Sequence, residues 1–127
     1  MLETKNLTGG YVNIPVLKDV SFEVGDGQLI GLIGLNGAGK STTINEIIGL
    51  LRPYAGEIRI DGLTLVASPS AYRQKIGYIP ETPSLYEELT LREHIETVAM
   101  AYDLDQEAVF VRVTPLLKQF RLEEKLD

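Results

Sequence analysis

The sequence contains no cysteine among its 127 residues. This excludes disulfide bonds and cysteine-ligated metal sites, and it is compatible with a reducing cytoplasm. No apolar run approaches the roughly 18 residues that a membrane-spanning helix requires. The first ten residues, MLETKNLTGG, lack the basic start and apolar core of a secretory signal. We therefore expect a soluble chain that is not exported.

Positive charge is also scarce, because 12 lysine and arginine residues face 18 aspartate and glutamate residues and leave a net charge of −6. The basic residues form no cluster or stripe, so nucleic-acid binding has no electrostatic basis and we expect no such partner. No internal repeat, low-complexity segment or linker is present. A chain of this length forms one domain or part of one.

The segment GLNGAGKSTT, residues 34–43, matches the phosphate-loop pattern GxxxxGK[ST]. Before it, the nearly continuous apolar run QLIGLIG predicts a strand that is buried on both faces. After it, apolar residues recur at helical spacing, and Gly49 and Pro53 are expected to end the helix. The apolar residues of this helix are Ile44, Ile47, Ile48 and Leu51. A strand, a glycine loop and a helix are the context that such a loop requires.

The chemistry of this loop suits a nucleoside polyphosphate with Mg²⁺. Glycines remove Cβ atoms, so that backbone N–H groups can turn towards phosphate oxygens, and a helix N-terminus favours an anion by about 0.3 to 1 kcal/mol. Lys40 adds a cation for the β and γ phosphates, Ser41 offers a hydroxyl to Mg²⁺, and Thr42 reaches a further phosphate oxygen. The predicted cradle comprises Gly34, Leu35, Asn36, Gly37, Ala38, Gly39, Lys40, Ser41 and Thr42.

Strands are predicted on both sides of this loop. LETKNL and VLKDVSFEV are each expected to be a strand, and EIRIDGLTL predicts a hairpin that turns at Asp61 and Gly62. Together these segments predict an antiparallel sheet. Ser68 and Pro69 then predict the cap and first turn of a short helix over SAYRQK, and IGYI, residues 76–79, predicts a further buried strand.

Helices are predicted after Pro80. Thr90 and Glu93 form the pattern of a capping box at the start of the first helix. A second helix is expected after Asp105, and Pro115 within it predicts a kink or break at Thr114 because proline removes a helical hydrogen bond.

Four features together resemble the nucleotide-binding domain of ATP-binding cassette (ABC) transporters: Tyr11 before VLKDVSFEV, the loop GLNGAGKS, the hairpin GEIRIDG after LLRP, and the stretch IGYIPETPSLYEELTLREHI. The resemblance covers essentially the whole chain. It implies an α/β fold of the P-loop NTPase class, with an antiparallel β subdomain, the start of a parallel-sheet core and a helical subdomain. We expect residues 1–127 to form a single, incomplete domain, β-rich and ATP-binding to about residue 80 and helical from about residue 81.

The resemblance also assigns roles to residues outside the loop. Tyr11 occupies the position of an aromatic residue that stacks on adenine, although a packed core tyrosine is the alternative, and Val16 contacts the nucleotide nearby. Glu81 stands where the family normally has a glutamine that faces Mg²⁺ and the γ-phosphate. A carboxylate is a harder Mg²⁺ ligand but cannot donate a hydrogen bond, and an ordinary solvated loop residue is the alternative here.

The segment from Thr82 to Thr90 corresponds to the region of the family that receives a transmembrane partner. Its apolar residues Leu85 and Tyr86 either dock that partner or belong to the subdomain core. His94 is expected to be a solvated surface histidine and not the family's catalytic histidine, which comes much later in the chain.

Three elements that complete an ABC ATPase are not found: a signature loop of LSGGQ type, an apolar strand that ends in Asp-Glu, and a later histidine. The resemblance therefore implies the N-terminal part of a nucleotide-binding domain, truncated before these elements and with no complete catalytic set. Without the sheet that they complete, the apolar segments LIGLI and IGYI are expected to lack cover.

For the intact protein, the resemblance implies hydrolysis of MgATP to drive transport, with export as the expected direction. The implied partners are a transmembrane permease and a second ATPase domain in an ATP-sandwich dimer. The implied localisation is cytoplasmic, at the inner face of the cell membrane, where the permease holds the protein. The alternatives are a soluble ABC ATPase of translation or DNA repair and a nucleotide-binding fragment without hydrolysis. A small GTPase or nucleotide kinase is disfavoured, because no NKxD motif occurs and an antiparallel sheet precedes the loop.

Overall fold

The computed structural model describes all residues from Met1 to Asp127. The chain forms two compact units, Met1–Tyr78 and Ile79–Asp127. The elements of the first unit are β1 (Leu2–Tyr11), β2 (Ile14–Val24), α1 (Lys40–Ile47), β3 (Ala55–Ile60) and α2 (Pro69–Arg73). Those of the second unit are α3 (Leu91–Ala101), α4 (Gln106–Phe120) and a 3₁₀ turn at Glu123–Lys125. None of the helices has the length and apolar character needed to cross a membrane.

The three strands form one antiparallel sheet, as the sequence predicted, and their order in it is β2-β1-β3. β1 and β2 are joined by the two-residue turn Val12-Asn13, in which both residues have positive φ, 49° and 64°. Such a turn has the twist that matches antiparallel strands. It places Tyr11, the last residue of β1, directly opposite Ile14.

The predicted turn at Asp61-Gly62 is confirmed, with φ values of 50° and 77°. Ile60 and Leu63 exchange two backbone hydrogen bonds of 2.9 Å across this turn. The predicted second arm of the hairpin is wrong beyond this point, because Leu63 forms an isolated bridge and residues 64–67 do not continue as a strand.

The core of the first unit consists of Leu7, Leu17, Ile58 and Tyr72, which come from all three strands and α2. Tyr72 is 1% exposed, and its hydroxyl donates a 2.7 Å hydrogen bond to the carbonyl of Ile47 at the end of α1. α2 begins at Pro69, as predicted, but the Ser68 side chain makes no capping hydrogen bond. The Tyr72 contact therefore connects this short helix to the end of α1.

Two predicted buried strands are wrong. The segments QLIGLIG and IGYI have no strand assignment. Their apolar residues are exposed, with Leu29 at 98%, Ile33 at 97% and Ile79 at 88%, except for Ile76, which packs partly buried against the core of the first unit. A strand buried on both faces needs hydrogen-bonded neighbours and covering layers, and the single sheet β2-β1-β3 pairs with neither segment. The expectation that these apolar segments lack cover agrees with their exposure.

The second unit begins its first helix at the predicted capping box. The Thr90 hydroxyl accepts a hydrogen bond from the Glu93 N–H at 3.2 Å, and the Glu93 carboxylate accepts one from the Thr90 N–H at 2.8 Å. Asp105 caps α4 in a similar way by accepting from the Ala108 N–H at 2.8 Å. Polar side chains therefore satisfy N–H groups at the start of both helices.

Of the kink or break predicted at Thr114, the break is wrong, because α4 is continuous from Gln106 to Phe120 through Pro115. The proline removes the hydrogen bond to the carbonyl of Val111, but Val111 is 75% exposed, so water can hydrate that carbonyl. The Thr114 hydroxyl also donates to the Phe110 carbonyl at 2.7 Å, in the turn before the proline. An exposed helix face therefore tolerates a residue that would disrupt a buried one.

Candidate functional site

The glycine loop leads directly into α1, whose N-cap is Gly39 with φ 92° and ψ 6°. No side chain caps the helix at this end. The first helical hydrogen bond runs from the Thr43 N–H to the Gly39 carbonyl at 2.8 Å, so the N–H groups of residues 40–42 come before the helical ladder. These N–H groups and the positive end of the helix dipole suit an anion.

Gly39 is also fixed by its packing against β2. A Cβ atom at this position would lie 2.5 Å from Cδ2 of Leu17, a core residue, and 3.4 Å from Cγ1 of Val16. Its positive φ adds a second reason for glycine. At Gly37 the φ is 83°, but the space around the missing Cβ is open. The two glycines therefore have different roles. Gly39 allows the loop to pack closely against β2, and Gly37 allows the backbone to adopt a positive φ.

Lys40 reaches back across the loop. Its Nζ donates hydrogen bonds to the carbonyl oxygens of Gly34 at 2.7 Å and Leu35 at 2.9 Å. An ammonium group has three donors, so one remains for an external anion. Ser41 is exposed beside it, whereas Thr42 is 4% exposed. The cradle residues therefore fit a phosphate group: the loop is open at Gly37, and a cation lies over it.

Tyr11 and Val16 lie on β1 and β2 and remain partly accessible, with Tyr11 45% and Val16 37% exposed. Tyr11 is not one of the core residues of this unit. Its hydroxyl is 3.4 Å from Nδ2 of Asn45 on α1 and accepts a hydrogen bond from it. The structure therefore brings both predicted nucleotide contacts to the neighbourhood of α1 and its loop.

Glu46 is a feature of the site that the sequence reasoning missed. It lies on α1, is 2% exposed, and neither of its carboxylate oxygens has a hydrogen-bond partner. The carboxylate occupies the space that a Cβ atom on Gly9 of β1 would fill. Burial raises the pKa of the Glu46 carboxyl above its ordinary value.

The sequence pattern predicted Ile44 on the apolar stripe of α1, and the polar Glu46 lies between the apolar positions of that stripe. The structure reverses these positions, since Ile44 is 37% exposed and Thr42, Thr43 and Glu46 are buried. The consecutive glycines 9 and 10 were the signal available, because glycine in a strand often marks a close approach of another group, but the predicted strand LETKNL ended before them and only the structure extends β1 to Tyr11.

A cleft of about 880 Å³ lies at the other end of α1, and its lining runs from Glu46 to Tyr72 without any residue of the phosphate loop. The predicted cradle therefore lies outside this cleft.

Glu81 belongs to the second unit, where it is exposed in the irregular segment before α3. Leu85 and Tyr86 in the same segment are 73% and 64% exposed, so these two residues do not form a subdomain core. No group of three or more acidic, histidine or cysteine side chains that could hold a metal ion occurs in the structure.

His94 is not the solvated surface residue that the sequence predicted. It is half-buried, its Nε2 accepts a hydrogen bond from the Tyr86 N–H at 3.0 Å, and its Nδ1 is 2.8 Å from the Thr90 carbonyl. Because a carbonyl can only accept, Nδ1 carries the proton in this arrangement. His94 therefore links the irregular segment to the first turn of α3.

Comparison with known proteins identifies close relatives over nearly the whole chain. The family model described as ABC transporter matches residues 17–127. The chain is 57% identical over 126 residues to the ABC-type transporter ATP-binding protein EcsA of Bacillus subtilis strain 168, covering 99% of this chain and 51% of that protein. It is 38% identical over 128 residues to the SkfA peptide export ATP-binding protein SkfE of the same organism, covering 98% and 52%.

Among solved structures, one described as the ATP binding subunit of an ABC transporter superposes with a TM-score of 0.92 at 55% identity, covering 99% of this chain and 52% of that one. The chain thus spans about half the length of the relatives that it matches.

Proposed function

This chain belongs to the ABC transporter family, and we propose that its first unit binds MgATP through residues 34–42. The observation that carries the proposal is the geometry of Lys40. Its ammonium group bridges two carbonyls of the glycine loop and retains a donor, next to a helix N-terminus that no side chain caps. A phosphate on this loop would meet backbone N–H groups and a cation together.

The other predicted residues complete the proposed site. Tyr11 offers its exposed ring to the adenine base and Val16 contacts the nucleotide beside Gly39, while Ser41 ligates Mg²⁺ at the start of the helix. Glu81 lies in the second unit, and its role as a Mg²⁺ ligand stays a prediction from the resemblance. Because no protein cluster of metal ligands is present, Mg²⁺ would depend chiefly on the nucleotide phosphates for its binding.

We propose that residues 1–127 are one incomplete nucleotide-binding domain of a transport ATPase. In the intact protein, MgATP hydrolysis would drive transport, with a transmembrane permease and a second ATPase domain as partners at the inner face of the membrane. Export is the proposed direction, and the support for it is the similarity to a protein described as a peptide export ATP-binding protein. A soluble ABC ATPase that works without a permease is the second candidate.

Titration calorimetry with ATP and Mg²⁺ tests the binding site. Lys40→Ala is expected to weaken ATP binding severely with an unchanged circular dichroism spectrum, because Lys40 contacts loop carbonyls and not the core. Lys18→Ala is the matched control, since Lys18 is an exposed lysine on β2 of the same unit. Equal ATP affinity in wild type, Lys40→Ala and Lys18→Ala would show that the loop does not bind phosphate.

A further inference from the structure

Tyr11 is held at two points. Its backbone ends β1 at the two-residue turn Val12-Asn13, and its hydroxyl accepts a 3.4 Å hydrogen bond from Nδ2 of Asn45. Asn45 is half-buried on α1, five positions after Lys40. The aromatic ring thus spans from the sheet to the helix that carries the phosphate loop, and it keeps 45% of its surface exposed.

We propose that Asn45 is a positioning residue for nucleotide binding, which holds the Tyr11 ring in the orientation that receives the base. This inference rests on the proposed function. A tyrosine side chain attached only through its Cα would have to lose rotamer freedom when the ligand arrives, whereas a ring tied at its hydroxyl has lost part of that freedom beforehand. Asn45 also links the ring to the same helix that begins with Lys40, so one rigid element positions both ends of the ligand.

The chemistry of the contact predicts which changes matter. Tyr11→Phe keeps the ring and its stacking surface but removes the acceptor, and Asn45→Ala removes the donor and favours the helix. Each substitution removes the same hydrogen bond. Each therefore leaves the ring to be ordered when ATP arrives, and we expect each to weaken ATP binding by roughly two- to tenfold, the range for immobilising one side chain on binding.

The test is a double-mutant cycle of wild type, Tyr11→Phe, Asn45→Ala and the double variant, titrated with ATP and separately with inorganic triphosphate. Both single variants should lose affinity for ATP and not for triphosphate, and the double variant should be no weaker than either single one. Ile44→Ala is the matched control on α1, because it shortens an adjacent, partly exposed side chain that is outside the proposed site. It should leave both affinities unchanged.

Three results would overturn the proposal. The first is a double variant whose loss equals the product of the two single losses, since the residues would then act independently. The second is an Asn45→Ala variant that loses triphosphate and ATP equally, since α1 itself would then be damaged. The third is unchanged ATP affinity in both single variants.

Failure of the proposed function gives a different pattern, in which wild type and Lys40→Ala bind ATP equally poorly. The hydrogen bond itself can be tested without nucleotide, because its loss should shift the Asn45 side-chain amide resonance between wild type and Tyr11→Phe in ¹H–¹⁵N NMR spectra. A shift together with unchanged ATP affinity in both variants would separate the contact from any role in binding.

Discussion

Replacement of Glu46 should stabilise the protein, which is the reverse of the usual result for a buried residue. Its carboxylate is 2% exposed and has no hydrogen-bond partner, so the folded state carries the full cost of removing it from water. An unsatisfied buried polar group costs about 1 to 3 kcal/mol. Glu46→Met, which fills a similar volume without a polar group, is therefore expected to raise the free energy of unfolding at neutral pH by about that amount.

The pH dependence gives a second, independent measurement. Burial raises the pKa of the Glu46 carboxyl, so the folded state binds the proton more tightly than the unfolded state does. The contribution of Glu46 to stability is then fully present below the ordinary pKa of 4.5 and is lost as the pH rises through the higher pKa of the folded state. Glu46→Gln cannot ionise, so its stability should fall less than that of wild type as the pH rises from 4.5.

Urea denaturation followed by circular dichroism, at a series of pH values from 4.5 to 8, measures both effects. Glu23→Gln, at an exposed position on β2, is the matched control for the loss of one carboxylate. The reasoning is refuted if Glu46→Met is less stable than wild type at pH 7, or if Glu46→Gln and wild type lose stability equally with rising pH.

Three further outcomes follow from the structure. Gly39→Ala should lower the midpoint of thermal unfolding, because its Cβ would lie 2.5 Å from Leu17 and its φ is positive. Overpacking of this kind is expected to lower the free energy of unfolding by about 1 to 3 kcal/mol. An unchanged midpoint would contradict the packing of the loop on Leu17. Thr90→Ala should reduce helicity by circular dichroism and cost about 0.5 to 2 kcal/mol, because it removes the cap of α3, and Thr90→Ser should restore both. In a phosphate-release assay the 127-residue chain should turn over ATP no faster than Lys40→Ala, because the proposed site would position phosphates but includes no group for the attacking water. Turnover that depends on Lys40 would refute this.

The features predicted correctly from the sequence depend on local chemistry. The turn at Asp61-Gly62 needs two residues that accept positive φ, and the start of α3 needs the spacing of Thr90 and Glu93. The glycine loop before α1 is also held locally, since Lys40 donates to the carbonyls of Gly34 and Leu35, while its binding of phosphate stays a prediction. In each case the stabilising partner lies within about six positions, so the sequence alone contains both halves of the interaction.

The predictions that the structure contradicts depend on contacts between distant parts of the chain. The apolar runs QLIGLIG and IGYI suit buried strands, but a strand requires a neighbour elsewhere in the chain, and the sheet of this structure pairs with neither. The helical period of α1 was correct and Ile47 does pack against the core, but Ile44 is exposed and Glu46 is buried instead. Only the tertiary structure placed Glu46 over Gly9 and brought Asn45 to the hydroxyl of Tyr11, because these contacts join residues more than 30 positions apart and depend on how a helix packs on a sheet.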